Sequence, residues 1–405
     1  MKLTKKQEEF LELARQGKNI YLSGKAGTGK STVVKQFVAE AERAVCLGTS
    51  GVAAMNIKGQ TLHSFFGLSF GKIFSKKEVK YIREPIPVEE AKTIIIDEVS
   101  MLRSDVLENV KHAMEKSEID PFKKQFIFIG DLAQLPPIAS HSEELQLISE
   151  YGGVEFFHSN FFKELDVVHI DLDEVVRQSD TEFVDNLNIV RNGGKSPYFK
   201  RFVSDEVKGI VLAPHNVTVE KYNKEGLDKL KGKVYTYFAE VSGNAKPDEF
   251  NISEVLKLKE GAKIMYLVNN PQKKLVNGTL GTFCMDYKNV KVEERTYNKR
   301  KRKYETSYFL QSELVPCIKL ESGKTIHIEE YTFEKFKYNS NLEKEVTGRV
   351  KALPIRLAFA LSIHKSQGLT FDEVTVDLTR PCFQKGQLYT ALSRVRTPEG
   401  LRLIV

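Results

Sequence analysis

Over its first 165 residues the chain alternates short apolar runs with amphipathic stretches. "NIYLS" (19–23), "AVCLGT" (44–49), "TIIIDEV" (93–99) and "FIFIGD" (126–131) are too short for buried helices, and each ends in polar or glycine residues. They predict buried strands of a parallel sheet covered by helices. In open α/β sheets, ligands collect at the carboxyl ends of such strands. A second series begins at "VVHIDL" (167–172) and runs through "GIVLAP" (209–214), "AKIMYLVN" (262–269), "EVTVDL" (373–378) and "LRLIV" (401–405). Between its strands, residues 282–350 alternate apolar and polar positions, as a small antiparallel β insertion does. The pattern therefore predicts an α/β fold with a first lobe over 1–165, a second over 166–281 and 351–405, and a β insertion over 282–350. There is no internal repeat and no low-complexity linker.

A chain of 405 residues is long enough for two or three domains with their own cores. The net charge of +7 is compatible with a polyanionic partner but does not demand one. Cys46, Cys284, Cys317 and Cys382 show no spacing of a zinc motif, which fits a reducing compartment without a structural metal. No segment has the run of roughly 18 uncharged apolar residues that a membrane span needs, and the start lacks a signal-peptide core. These features predict a cytoplasmic protein.

The chemistry enters with "GKAGTGKS" (24–31). Gly24, Gly27 and Gly29 let the backbone wrap phosphates at a helix N-terminus; Thr28 and Thr32 flank the site, Lys30 neutralises charge and the Ser31 hydroxyl suits Mg²⁺. A glycine-rich strand-to-helix turn can also arise by chance. The acidic pair Asp97 and Glu98 follows three isoleucines, so Asp97 can reach a hydrated Mg²⁺ while Glu98 orients and deprotonates a water. Alone, the pair reads equally as a strand end. Asp131 and Gln134 follow another apolar strand, and Gln134 can hydrogen-bond a γ-phosphate without adding charge. Gln7 fits two roles, a capping box with Thr4 or adenine recognition, and the residues do not choose between them.

Taken in order, "LTKKQEEF", "GKAGTGKST", "GTSGVAAMNIKGQTLHSFFG", "IIIDEVSML", "GDLAQLPP", "EVVRQSDTEFVDNLNIVRNG", "VNGTLGTF", "ALSIHKSQGLTFDEV" and "GQLYTALSRVRTPEGL" resemble the superfamily-one DNA helicases of the 5′→3′ branch. The resemblance is strongest to the petite-integration-frequency (PIF) helicase family, with RecD-like enzymes as more distant relatives, and it runs through nearly the whole chain. It implies two RecA-like lobes with Mg-ATP between them, single-stranded DNA or a single/double-strand junction across their top, an SH3-like insertion and a monomer in solution. Carried over, Gln7 would bind adenine, Lys30 and Ser31 the phosphates and Mg²⁺, Asp97 and Glu98 the metal and water, and Gln134 the γ-phosphate. Arg177 and Arg394 would be arginine fingers from the second lobe. In "HKSQGLTF" (364–371), Gln367 and Gly368 would face the nucleotide, and His364, Lys365 and Ser366 the DNA backbone.

On the first lobe, Thr49, Thr61 and His63 would be strand contacts, with Phe65 or Phe66 either stacking on bases or belonging to the core. "NKRKRK" (298–303) is either a DNA contact or a solvated hairpin turn. One departure concerns "DPFKKQF": eukaryotic members end this signature in Pro-Phe-Gly-Gly, whereas here Pro121-Phe122 is followed by Lys123 and Lys124. With no long extension before the phosphate loop, this fits a minimal bacterial or phage enzyme and puts a specialised telomeric or mitochondrial role in doubt; DNA repair, recombination and telomere maintenance are the pathways the resemblance brings with it, and the sequence does not choose among them. Rival classes are another phosphate-loop enzyme, such as a nucleotide kinase or partition ATPase, and a single-strand binder with a decayed ATP site. A translocase that does not open duplex is a third possibility.

Overall fold

The computed structural model describes residues 3–25, 27–50, 53–54, 57, 59–68, 76–173, 180–298 and 303–405. Six parallel strands form the first sheet: β1 Asn19–Gly24, β2 Ala44–Gly48, β3 Gln60–Thr61, β4 Thr93–Asp97, β5 Gln125–Gly130 and β6 Val167–Leu172, in the order β3-β2-β4-β5-β1-β6. The unbroken apolar runs reflect burial on both faces. Ile95, Ile127 and Ile129 point to a core with Phe10, Val33 and Phe37 from the helices Lys5–Arg15 and Lys30–Glu40. Their neighbours Ile94, Ile96, Phe126 and Phe128 point the other way, against Leu107, Val110 and Phe156. Alternate strand residues face opposite sides of a sheet, so both sets must be apolar.

The strand Val167–Leu172 corrects the sequence expectation. It lies beside β1 in the first sheet, from Asn19↔Val167 to Gly24↔Leu172, rather than opening the second series. The first lobe therefore extends past residue 165. An apolar run shows that a strand is buried but not which sheet it joins.

The second parallel sheet is built from β7 Ile210–Ala213, with three strands from the last fifty residues. Between them come β8 Tyr235–Phe238, β9 Glu240–Gly243, β10 Val255–Leu258, β11 Lys263–Tyr266, β12 Leu280–Asn298, β13 Lys303–Lys319, β14 Thr325–His327, β15 Tyr331–Tyr338, β16 Lys344–Ala352 and β17 Ile355–Leu357, all paired antiparallel. The chain then returns through β18 Ala360–Ser362, β19 Val374–Asp377 and β20 Leu401–Ile404 to give the parallel order β18-β7-β19-β20. The antiparallel region is thus wider than 282–350. It takes in β11, which the sequence reading gave to the parallel sheet, and β11 sits between β12 and β17.

The hairpin of β12 and β13 stays in register from Thr282↔Lys319 to Asn298↔Lys303, a rise of roughly 55 Å at about 3.4 Å per residue. The basic run lies at its tip, where residues 299–302 fall outside the described residues. Among the described residues, no helix is long and apolar enough to cross a membrane.

Candidate active site and nucleic-acid groove

Because β4, β5 and β1 are consecutive in the first sheet, their carboxyl ends bring Asp97, Asp131 and the phosphate loop side by side, about 4.8 Å apart per strand. The turn Gly368–Thr370 and the segment Tyr389–Arg396 of the second lobe close over them. Together they enclose a cleft of about 360 Å³, lined by Lys30, Ser31, Asp97, Glu98, Gln134 and Arg394 among others.

The phosphate loop is shaped by glycines with left-handed backbones. Gly29, at φ +83°, precedes the helix Lys30–Glu40, whose first turn has no side-chain cap and so leaves N–H donors for an anion. A Cβ at Gly29 would fall 2.7 Å from Gln7 Nε2. Lys30 Nζ donates to Gly24 O at 2.6 Å and Lys25 O at 3.0 Å. Burial lowers its pKa, and the carboxylates of Asp131, Glu98 and Asp97 work against that shift.

Gln7 completes the capping box: Thr4 N donates to its Oε1 at 3.1 Å, and Gln7 N donates to Thr4 Oγ1 at 3.3 Å. Its Nε2 donates to Thr28 O at 3.1 Å, tying the first helix to the phosphate loop. Gln7 is absent from the lining of the cleft.

Glu98 is a non-glycine residue in the left-handed region, at φ +56°, a conformation that costs of order 1 kcal/mol and persists only when its surroundings impose it. Here Thr49 Oγ1 donates to Glu98 O at 3.1 Å, and Glu98 N donates to Asp97 Oδ1 at 2.9 Å. Thr49 therefore shapes the turn that carries Glu98. Burial pushes the Glu98 carboxyl up to about 7, with the Asp97 charge adding to the shift and Lys30, Arg394 and Gln367 opposing it. Burial raises Asp97 as well. A half-buried carboxylate pair beside an exposed Ser31 hydroxyl is a set of hard oxygen donors that suits Mg²⁺.

Asp131 connects the lobes. Its fully buried carboxylate accepts from Arg191 Nη2 at 2.9 Å, from Tyr389 Oη at 3.2 Å and from Gln134 Nε2 at 3.3 Å. Arg191 ends the helix Thr181–Arg191, and Tyr389 lies on the helix Gln387–Leu392. Neither was singled out from the sequence, although both stand inside the motif segments, because their partner is 60 and 258 positions away. The lobes also touch through backbone: a Cβ at Gly386 would lie 2.0 Å from Gln134 O. Arg394, buried at the cleft, donates to Thr390 O, Leu369 O and Ser393 Oγ. Arg177 lies outside the described residues.

In "HKSQGLTF", Gln367 Nε2 reaches across to Glu98 Oε2 at 3.0 Å, and Gly368 lines the cleft. His364–Ser366 form a single 3₁₀ turn following β18. Ser366 is fully buried and its hydroxyl donates to Ile363 O, so it does not face DNA as the resemblance implied. His364 Nε2 lies 3.2 Å from Gln384 Oε1, and burial lowers its pKa. Lys365 is exposed beside it.

A larger groove of about 1180 Å³ runs between the first lobe and the β insertion, lined by Thr61, His63 and Ser64 on one side and by Asn269, Lys335 and Lys337 on the other. Thr61 Oγ1 accepts from Ser64 N, and burial lowers the pKa of His63. Phe65 is core rather than a stacking platform. It is 5 % exposed and meets Phe66 and Tyr338 edge-on, at 5.1 and 5.8 Å between ring centroids. Tyr338 anchors the insertion to the first lobe, its hydroxyl accepting from Cys46 N at 3.1 Å and its N–H donating to Gln60 Oε1 at 3.0 Å.

The family model for PIF1-like helicases matches residues 2–196. A protein of Bdellovibrio bacteriovorus named ATP-dependent DNA helicase Pif1 is 28 % identical, covering all of this chain and 88 % of the relative. The structure of unliganded Pif1 from a Bacteroides species superposes with a TM-score of 0.82 at 30 % identity, covering all of this chain and 92 % of that one. The Bacteroides Pif1 complex with ADP-AlF3 and single-stranded DNA gives a TM-score of 0.67 at 30 % identity, over all of this chain and 93 % of that one. The chain belongs to the PIF1-like helicase family.

Proposed function

We propose that this chain is an ATP-dependent DNA helicase that hydrolyses Mg-ATP in the inter-lobe cleft, moves 5′→3′ on single-stranded DNA and opens duplex ahead of it. The observation that carries the reading is the bond from Gln367 of the second lobe to Glu98 of the first. The residue placed to activate water on one lobe is held by the other, so hydrolysis and lobe position are mechanically linked. The relatives named above, one of them solved with a transition-state analogue of ATP and single-stranded DNA, support it.

In this reading the first-turn N–H groups of Lys30–Glu40 and the Lys30 ammonium bind the phosphates, Lys30 leaving Gly24 O and Lys25 O to do so. Ser31 and Asp97 would hold Mg²⁺, which neutralises charge on the phosphates when bound. Glu98 takes a proton from the attacking water. The burial that raises its pKa towards neutrality makes it a better base than an ordinary glutamate. Gln134 and Arg394 contact the γ-phosphate side, and Arg177 joins them as a second finger. The groove at Thr61 and His63 carries the strand, with the antiparallel insertion, SH3-like in this reading, as its far wall. Such a protein works as a monomer in the cytoplasm.

An ATPase assay with and without single-stranded DNA tests the reading. A helicase shows hydrolysis raised well above its basal rate by the strand. A rate indifferent to DNA points to another phosphate-loop enzyme, and no hydrolysis points to a strand binder.

A further inference from the structure

The base of the β12–β13 hairpin carries polar side chains that neither the cleft nor the groove uses. In the ladder Cys284 faces Cys317, and Cys317 faces His327 on β14. Directly opposed residues of antiparallel strands project from the same face, and Asp286, two positions after Cys284, shares that face. Asp286, Cys317 and His327 each offer a ligand atom, and the three atoms lie within 4.8 Å of one another. His327 Nε2 is 3.6 Å from Asp286 Oδ2. Tyr287 N donates to Asp286 Oδ1 at 2.8 Å, which fixes the carboxylate as outer-shell bonds fix metal ligands. The Cys317 thiol donates to Val315 O at 3.5 Å, and Cys284 stands directly across the ladder from it. Cys317 is fully buried, while His327 is partly open and Asp286 exposed, so an ion can arrive from solvent.

We propose that Cys317, His327 and Asp286 form a binding site for a divalent cation of the zinc class, with Cys284 supplying the fourth ligand. Thiolate and imidazole donors select zinc over Mg²⁺ or Ca²⁺, which prefer oxygen alone. Zinc bonds of about 2.0 to 2.3 Å place neighbouring ligand atoms roughly 3.5 Å apart, so the Asp286, Cys317 and His327 atoms, within 4.8 Å of one another, need to close by at most about 1.3 Å. On binding, each cysteine thiol that ligates releases its proton to solvent and the metal takes its place. The ion would cross-link β12, β13 and β14 at the root of the long hairpin. Local sequence spacing hides the site, because the ligands converge through strand pairing and not through a Cys-x-x-Cys motif.

The test is titration of the metal-free full chain with Co²⁺ and then Zn²⁺. Cobalt should give a thiolate charge-transfer band in the near ultraviolet, which oxygen ligands at the nucleotide cleft cannot produce, and one equivalent of Zn²⁺ should abolish it. Cys317→Ser should keep at most the weaker band of a single thiolate and bind zinc more weakly by roughly a hundredfold or more, exceeding the cost of losing an outer-shell partner. Cys382→Ser, a thiol away from the cluster, should change neither. An undiminished band in Cys284→Ser overturns the fourth-ligand assignment. No thiolate band in the wild type, or unchanged zinc affinity in Cys317→Ser, overturns the site. The wild-type spectrum decides even if the variant fails to fold.

Discussion

Gln367 Nε2 donates a 3.0 Å hydrogen bond to Glu98 Oε2, and the two residues stand 269 positions apart on opposite lobes. The residue assigned as the base is thus held by a neutral donor. A neutral amide can release the carboxylate when a water or phosphate competes for it, whereas a cation would hold it far more firmly.

Removing either partner should therefore separate binding from turnover. Glu98→Gln is expected to keep ATP binding while kcat falls by about 10²-fold or more. Gln367→Ala should lower DNA-stimulated kcat by roughly tenfold or more while KM for ATP and strand affinity shift only a few-fold. Steady-state kinetics and anisotropy with labelled single strands give both readouts. Turnover in Glu98→Gln within a few-fold of wild type would remove the base assignment.

The Asp131 contacts predict a different signature. Arg191→Ala leaves a fully buried carboxylate without its ion-pair partner, and such losses cost about 3–5 kcal/mol. Tyr389→Phe removes one hydrogen bond to the same group, worth about 1 kcal/mol. In denaturant unfolding, Asp131→Asn should recover part of the Arg191→Ala loss, because the double variant no longer buries an unpaired charge. Additive losses would show that the pair is not coupled.

Burial gives the nucleotide-free, metal-free protein a pH dependence. The Glu98 carboxyl rises from its ordinary 4.5 to about 7, so the folded state holds the proton more tightly than the unfolded chain. Stability is then present below about 4.5 and is lost as pH climbs to about 7, with Asp97 acting in the same direction. Glu98→Gln lacks that loss. By calorimetry in chelator its Tm should exceed that of wild type near pH 8 and the gap should narrow towards pH 5. A gap of constant size would contradict the assignment.

The nucleotide machinery was legible in the sequence because it is local. Gly24 to Thr32 encode a loop, Asp97 and Glu98 a strand end, and the order of motifs carried the family resemblance. The strand Val167–Leu172 and β11 were misplaced because pairing partners, not apolar content, decide sheet membership. Phe65 and Ser366 look available in the sequence, yet Tyr338 from the insertion covers one and the turn at Ile363 consumes the other. Arg191 and Tyr389 gain their role only when the lobes meet at Asp131.

Direction of movement tests the central claim most directly. Two short duplexes, one with a 5′ single-stranded tail and one with a 3′ tail, are compared at matched enzyme, Mg²⁺, ATP and salt, with a trap strand to prevent reannealing. A 5′→3′ helicase opens the 5′-tailed duplex and leaves the 3′-tailed one nearly intact. Preferential opening of the 3′-tailed duplex would contradict the proposed polarity, and opening of neither while single strands still stimulate hydrolysis would contradict duplex unwinding.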